Sequence, residues 1–366
     1  MDTTTIAAAS GLEGVVVADT RLSEVDGERG RLIVAGHDIE RLADGATVED
    51  VAGLLWSGAL PGADGRAAMQ RALADGRAQA FERIAAVSGA LALADGMDAL
   101  RAAVGQLAAD DGFAAPARLA GAVAVYAAAW ARVRAGARPI APDPLCSHAE
   151  DYLRMLGGGT DAARAAGVAA YLVTVADHGM NASTFTARVI TSTGSDPVSA
   201  IVGAIGALKG PLHGGAPGPV LDMLDAIGEP ARAAAWIDGE LAAGRRIMGM
   251  GHRIYRVRDP RAAVLERAIA RLEAAGVTTG RLALARAVEQ AAEGALKVKY
   301  PGRPLAANVE FYTAVLLDSL GIDRAAFSPT FAVGRVIGWC AHVREQQATG
   351  RLIRPASRYI GAMPDL

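Results

Sequence analysis

The chain has 366 residues and a formal net charge of −2, and 52% of its residues are hydrophobic although only 5% are aromatic. A nearly neutral net charge gives no indication of a nucleic-acid or anionic-membrane partner, so we expect neither. The length suggests about two domains of roughly 150 residues each, with cores built mainly from small side chains.

The first predicted elements are strands, and they lie between residues 11 and 36. Residues 15–17 (VVV) and 31–34 (RLIV) flank a glycine-containing turn at 26–30, which predicts a small N-terminal β-hairpin. The residues before it contain neither a basic start nor an apolar run, so we expect no secretory signal there.

Beyond the hairpin the pattern is helical and repeatedly interrupted by glycine and proline. Thr47 and Asp50 form an imperfect capping box before a helix that ends at Gly58. The longest apolar stretch, 119–131, is too short to span a bilayer and predicts a buried helix.

Later helices are predicted from Asp-Pro pairs, in which proline takes the first helical position. These pairs start helices at 196–197 and 259–260, and a shorter helix is predicted at 219–227. The regular alternation of strand and helix expected of an α/β fold is absent, so the fold class is predicted to be all-α. Cys146 and Cys340 lie far apart without metal-ligand spacing, which is typical of structural thiols in a reduced cytosol and predicts a cytoplasmic protein.

Three segments carry residues suited to catalysis. His213 lies in GPLHGG (210–215), His252 in GMGHR (249–253), and Glu310 in NVEFY (308–312). Glycines beside a histidine leave backbone N–H groups open and let a ligand approach closely. Two imidazoles and one carboxylate form a complete acid–base set for carbon–carbon bond formation.

Each segment also has a simpler interpretation. A histidine beside glycine is commonly a turn residue. Asn308 is a plausible helix cap, which places Glu310 in a first helical turn, where the helix dipole favours an ionised carboxylate. Glu310 could therefore be only an acid at a helix start.

Further segments, in the same order along the chain, point to a family. They are GLEG (11–14), DGERGRL (26–32), DHGMNASTF (177–185), the two histidine loops, DPR (259–261), Arg335, Trp339, His342 and RLIRP (351–355). This series resembles the citrate synthase family. The resemblance implies an all-helical homodimer with a large domain (1–215 and 321–366) and an inserted small domain (216–320). In such enzymes the small domain closes over the substrates, and each active site takes a residue from the partner subunit.

The resemblance also implies roles for the catalytic residues. His213, as a neutral imidazole, would donate a hydrogen bond to the thioester oxygen of acetyl-CoA, and Glu310 would remove the α-proton. His252 would polarise and protonate the ketone oxygen of oxaloacetate, and the resulting citryl-CoA would be hydrolysed. The enolate oxygen needs stabilisation while the proton leaves, which is why hydrogen-bond donors accompany the base.

Substrate-binding residues follow from the same resemblance. Arg261, Arg335 and Arg354 match the carboxylate clamps, since a guanidinium fork suits a carboxylate, and Arg354 would reach across the dimer. His178 matches a further oxaloacetate contact. Arg335 could instead be a surface residue, and Arg261 could cap a helix turn or pair with Glu266.

Coenzyme A contacts are less clearly marked. Residues Ile247, Met248, Gly249, Met250 and Gly251 match the loop whose backbone lies against the CoA adenine. Arg256, Lys297 and Arg303 are candidates for the CoA phosphates, although each could equally be a solvated surface residue. The resemblance implies acetyl-CoA as a co-substrate, no permanently bound cofactor and no metal.

The sequence departs from the family pattern at two places. Glu310 stands where aspartate is usual, and Pro217-Gly218 stands where many relatives have Asn-Glu. A carboxylate displaced by about 1 Å can cost on the order of 100-fold in rate unless the backbone compensates. Two alternatives therefore stand beside citrate synthesis: a 2-methylcitrate synthase that uses propionyl-CoA, and a non-catalytic relative that binds oxaloacetate or CoA.

Overall fold

The computed structural model describes residues 10–12, 14–213, 217–252, 254–277 and 280–364. These residues form sixteen α-helices and one small sheet, which confirms the all-α class with an N-terminal hairpin. The strands are β1 (Ser23–Asp26), β2 (Arg31–Val34) and β3 (His37–Asp38). The helices are α1 (Ile39–Gly45), α2 (Val48–Ser57), α3 (Ala63–Glu82), α4 (Ser88–Leu91), α5 (Gly96–Val104), α6 (Pro116–Arg134), α7 (His148–Leu156), α8 (Ala162–Val175), α9 (Ala182–Ser192), α10 (Pro197–Leu208), α11 (Pro217–Ile227), α12 (Ala233–Ala242), α13 (Pro260–Ala274), α14 (Arg281–Lys299), α15 (Val309–Ser319) and α16 (Phe327–Thr349).

The sheet is an antiparallel meander in the order β1-β2-β3. The expected first strand at 15–17 was wrong, because those residues form no strand and β1 begins six residues later than Val17. Val16 is 83% exposed, so its β-propensity has no apolar surface to pack against. The strand β2 was predicted correctly, and its alternate residues Leu32 and Val34 are buried.

Several helix starts were also predicted correctly. Thr47 and Asp50 form the complete capping box, with hydrogen bonds in both directions. Asp196 and Asp259 each accept a backbone N–H at the start of α10 and α13. Helix α11 begins at Pro217 rather than at 219.

The core is formed by helices that approach one another through small side chains. In α6 every residue from 119 to 130 is buried, as predicted for that apolar stretch. A side chain at Gly121 would lie 2.5 Å from the backbone of Gly76, so glycine is needed where α6 crosses α3. Within the described ranges, no helix is long and apolar enough to cross a membrane.

The site is positioned where the later helices meet the rest of the chain. Helix α14 contacts α11, α12 and α15, α11 also contacts α15, and α13 packs against both α15 and α8. The loop before α13 and the start of α15 therefore face the loop that follows α8. The division into domains at 216 and 320 stays a prediction.

Candidate active site

Backbone hydrogen bonds hold the His252 loop against the start of α15. Gly251 N–H donates to the Ala306 carbonyl at 2.7 Å, and Asn308 N–H donates to the Gly249 carbonyl at 2.9 Å. The Asn308 side chain donates to the Gly251 carbonyl at 2.9 Å and caps α15 by accepting from Glu310 N–H. The predicted cap is confirmed, and it brings two sequence-distant candidate segments together.

The His252 imidazole is neutral and has a defined hydrogen position. Its Nδ1 accepts backbone N–H groups of Ile254 at 3.0 Å and Tyr255 at 3.1 Å. Since Nδ1 accepts, the neutral ring carries its hydrogen on Nε2. Burial, followed by the positive charge of Arg261, lowers the pKa of His252 to about 4. At neutral pH this ring is therefore a hydrogen-bond donor through Nε2.

His213 is also held as a neutral imidazole. Its Nε2 faces the Ser183 hydroxyl at 2.8 Å and accepts the Ser183 backbone N–H at 3.3 Å. The hydrogen therefore lies on Nδ1. Burial, followed by the charge of Arg335, lowers the pKa of His213 to about 4. Trp339 donates to the Ser183 hydroxyl at 3.0 Å and fixes that residue in turn.

Glu310 is the carboxylate of the site. The described residues give its side chain no hydrogen bond, and it retains some solvent contact. Burial raises the pKa of Glu310 to about 7, while Arg261 lowers it and Asp259 raises it. A carboxyl group that titrates near neutrality and accepts no hydrogen bond from the described residues is suited to general-base catalysis.

Arg261 is buried and paired with the carboxylate of Asp259. Pairing with Glu266, the alternative that the sequence left open, does not occur. Its guanidinium contacts Asp259 through Nε at 3.0 Å and through a terminal nitrogen at 2.7 Å. Glu266 instead pairs with Arg258 and Arg286. Arg261 is therefore a fixed cation close enough to Glu310 and His252 to shift the pKa of both.

Arg335 is fully buried, which rules out the surface interpretation. Its Nε donates to the Val175 carbonyl at 2.6 Å, and its guanidinium lies 4.7 Å from the centre of the Phe331 ring. It forms no ion pair with a carboxylate among the described residues. Burial and the nearby Arg261 lower the pKa of Arg335 to about 10, although Asp177 opposes this. A buried cation without a carboxylate partner favours an anionic ligand.

His178 joins the same cluster. Its ring centre lies 5.8 Å from that of His252. Burial, followed by Arg261 and Arg335, holds the pKa of His178 well below its usual value. The loop that carries it is fixed through Asp177, which accepts from His342 at 3.1 Å and from Ser23 at 2.5 Å.

Arg354 does not join this cluster within the chain. It is exposed and lines a groove of about 530 Å³ with Leu12, Asp19, Arg188 and the neighbouring C-terminal residues. Its expected role depends on a partner subunit and stays a prediction.

The expected CoA-binding loop, Ile247 to Gly251, packs against residues 305–311, with Ile247 and Gly249 buried. Gly249 has a φ of 74°, and a side chain there would lie 2.9 Å from Phe311. Arg256 is exposed beside the β1–β2 turn, where its backbone N–H bonds to Gly27. Lys297 and Arg303 are exposed as well, so their part in phosphate binding stays open.

Some candidate positions lie outside the described residues: Glu13, Gly214, Gly215, Ala216 and Arg253. Two site residues were not predicted. Ser183, which contacts His213, lies inside the 177–185 segment that carried the resemblance, so that segment was the available signal. Tyr255 has no comparable signal, since its contact with His178 depends on long-range folding.

These residues form a site rich in hydrogen-bond donors around one base. Two neutral imidazoles and two buried guanidinium groups can hold an anionic substrate and stabilise oxygen atoms that gain negative charge. Glu310 can remove a proton at neutral pH. No group of three or more metal-ligating side chains occurs in the described segments.

Comparisons with known proteins agree with one another. The family model described as citrate synthase, C-terminal domain, matches residues 11–356. A citrate synthase from Haloferax volcanii is 39% identical over 96% of this chain and 95% of its own length. A 2-methylcitrate synthase from Mycobacterium tuberculosis is 37% identical over 96% of this chain and 90% of its own. The ternary complex of citrate synthase from Thermoplasma acidophilum with carboxymethyl coenzyme A and oxaloacetate superposes with a TM-score of 0.86, at 28% identity over 98% of both chains.

Proposed function

Because this chain belongs to the citrate synthase family of acyltransferases, we propose that it condenses acetyl-CoA with oxaloacetate to give citrate and CoA. The observation that supports this most strongly is the convergence of neutral His213, neutral His252 and Glu310, whose side chain accepts no hydrogen bond from the described residues, with two buried arginines. The citrate synthase from Haloferax volcanii is matched over 95% of its own length, so the proposal concerns the chain as a whole rather than one part of it.

The first step is enolisation of the thioester. Glu310, ionised, removes a proton from the acetyl methyl group. His213 donates its Nδ1 hydrogen to the thioester oxygen as that oxygen becomes negative. A neutral donor suits this task, because it stabilises the enolate without adding a positive charge that would lower the pKa of Glu310 and make it a weaker base.

The second step joins the carbon atoms. The enolate carbon attacks the ketone carbon of oxaloacetate, and His252 polarises the ketone oxygen through Nε2 and protonates it. Arg261, Arg335 and His178 hold the carboxylates and the ketone in place. Water then hydrolyses citryl-CoA, which releases CoA and makes the sequence irreversible.

The proposed assembly is a cytoplasmic homodimer in which Arg354 of each subunit completes the substrate clamp of the other. The exposed position of Arg354 and its absence from its own chain's cluster support this. Residues 247–251 and Arg256 are proposed to contact CoA, and the helices between 216 and 320 are proposed to close over both substrates.

A second candidate is 2-methylcitrate synthesis from propionyl-CoA, favoured by the matched relative of that name. A pocket discriminates one methylene by only about 1–3 kcal/mol, so both acyl-CoAs should be compared directly. We expect kcat/KM to be higher for acetyl-CoA, measured by CoA thiol release with oxaloacetate. A clear preference for propionyl-CoA would reassign the substrate, and no thiol release despite ligand binding would indicate a non-catalytic relative.

The assigned imidazole roles are tested by His213→Ala and His252→Ala. Each should reduce kcat by about 100-fold or more, because each donor acts on charge that develops in the transition state. The melting temperature should be measured with turnover, so that loss of activity is separated from loss of fold. Near-normal turnover in either variant would refute its assigned role.

A further inference from the structure

We propose that Tyr255 is a positioning residue that fixes which ring nitrogens of His178 and His252 carry hydrogen. This inference rests on the proposed function, because it assigns the two imidazoles to one keto-acid substrate. It adds a residue that the sequence did not single out, placed three positions after His252.

The first observation is the contact between Tyr255 and His178. The Tyr255 hydroxyl lies 3.0 Å from His178 Nε2, and the two ring centres are 5.6 Å apart at 67°. Tyr255 is only 1% exposed. Within the described ranges, its hydroxyl has no other hydrogen-bond partner, and His178 Nδ1 has none.

The direction of this hydrogen bond follows from the surroundings. Burial, which outweighs the effect of nearby Arg261, raises the pKa of Tyr255, so the hydroxyl keeps its hydrogen. His178 is neutral, so only one of its ring nitrogens can donate. If Nε2 donated, the tyrosine hydrogen would be buried without an acceptor. The hydroxyl therefore donates to Nε2, and His178 carries its own hydrogen on Nδ1.

The second observation is that the same residue fixes His252. The Tyr255 backbone N–H donates to His252 Nδ1 at 3.1 Å, and the two rings are in contact at 4.8 Å between centres. His252 therefore carries hydrogen on Nε2. Tyr255 thus acts on both rings: its hydroxyl makes Nε2 of His178 an acceptor, and its backbone N–H makes Nδ1 of His252 an acceptor. Each imidazole then has one N–H group left to donate to a substrate.

The consequence concerns the keto acid rather than the acyl-CoA. Oxaloacetate presents only acceptor oxygens, and beside Arg261 and Arg335 it should meet N–H groups from both rings. Without the Tyr255 hydroxyl, His178 is free to carry hydrogen on Nε2 and to turn a lone pair toward the substrate oxygens. That arrangement weakens oxaloacetate binding and leaves the thioester site unchanged.

The test is Tyr255→Phe, which removes one oxygen and keeps the ring. The matched control is Tyr152→Phe, because Tyr152 is fully buried and its hydroxyl lies 2.7 Å from Thr330 Oγ. We expect Tyr255→Phe to raise KM for oxaloacetate about tenfold, as for one lost hydrogen bond to a charged ligand, with KM for acetyl-CoA unchanged. The control should change neither KM value.

The hydrogen positions are determined by NMR, from spectra of the substrate-free protein that correlate imidazole ¹⁵N and ¹H nuclei through two bonds. The signals of His178 are assigned as those that disappear in a His178→Asn variant. The wild type should show His178 protonated on Nδ1, and Tyr255→Phe should lose that state. Hydrogen on Nε2 of His178 in the wild type would overturn the proposal, as would equal kinetic losses in both Phe variants. The spectra do not depend on turnover. If the wild type were inactive, the proposed function would be refuted, and the hydrogen position on His178 could still be determined.

Discussion

Glu310 carries a carboxyl group whose pKa, raised by burial to about 7, is close to the working pH of most enzymes. If Glu310 is the base, kcat/KM for acetyl-CoA should fall below pH 7, because the protonated form cannot accept a proton. In Glu310→Gln this pH dependence should disappear together with α-proton exchange from acetyl-CoA. Exchange is followed by deuterium incorporation, and exchange at the wild-type rate in the Gln variant would place the base elsewhere.

The same pKa shift makes a prediction about stability. Folding disfavours the ionised form of Glu310, since its folded pKa lies above the ordinary value of 4.5. The cost is absent below about pH 4.5, grows as pH rises, and is complete above about pH 7. Glu310→Gln should therefore melt at a higher temperature than wild type at pH 8, with a smaller difference at pH 5. A lower melting temperature at pH 8 would contradict the assigned shift.

At the residue scale, the members of the candidate site could be named from sequence motifs, while their roles stay predictions. His213, His252, Glu310, Arg261, Arg335 and His178 were all named from sequence segments, and the structure brings them together. Their pKa values could not be obtained in this way, because burial and the distances to two arginines depend on the whole fold. Tyr255 was missed for the same reason.

At the scale of elements, glycines mark where helices must pass closely. A side chain at Gly338 in α16 would lie 2.2 Å from the Ala176 carbonyl oxygen and 2.7 Å from Asp177 Oδ1. Gly338→Ala should therefore destabilise the protein by about 1–3 kcal/mol and displace the loop that carries His178. Urea unfolding and KM for oxaloacetate measure the two effects.

The control for this prediction is Gly239→Ala in α12, because nothing lies within 4 Å of the added methyl group. That variant should be unchanged or more stable by about 0.5–1 kcal/mol, since alanine favours a helix. If Gly338→Ala behaves like this control, the close packing of α16 on residues 176–177 does not constrain the site.

Element boundaries were predictable where a local interaction sets them. The caps at Thr47, Asp196, Asp259 and Asn308 involve residues two or three positions apart, and all four were identified from sequence. The strand expected at 15–17 failed because strand formation needs a partner, and local propensity does not specify one.

At the scale of the whole molecule, the proposed dimer can be tested through Arg354. An Arg354→Ala subunit is mixed with a His213→Ala subunit and exchange is confirmed by mass spectrometry. If Arg354 acts across the dimer, each mixed dimer has one intact site, and random exchange should restore roughly a quarter of wild-type activity. If Arg354 acts within its own subunit, no activity returns.

The position of Asp259 has a consequence for how this site can change. Its carboxylate accepts the Arg261 backbone N–H at the start of α13, pairs with the Arg261 guanidinium, and accepts the Val309 N–H at the start of α15 at 3.3 Å. Arg261 and the first turn of α15, which carries Glu310, are therefore held together through one carboxylate. If α13 and the start of α15 move together, access to the site changes while the spacing between Arg261 and Glu310 does not. A substitution at position 310 therefore alters a group whose backbone is held through Asp259, and its effect on activity should depend on the residues at positions 259 and 261.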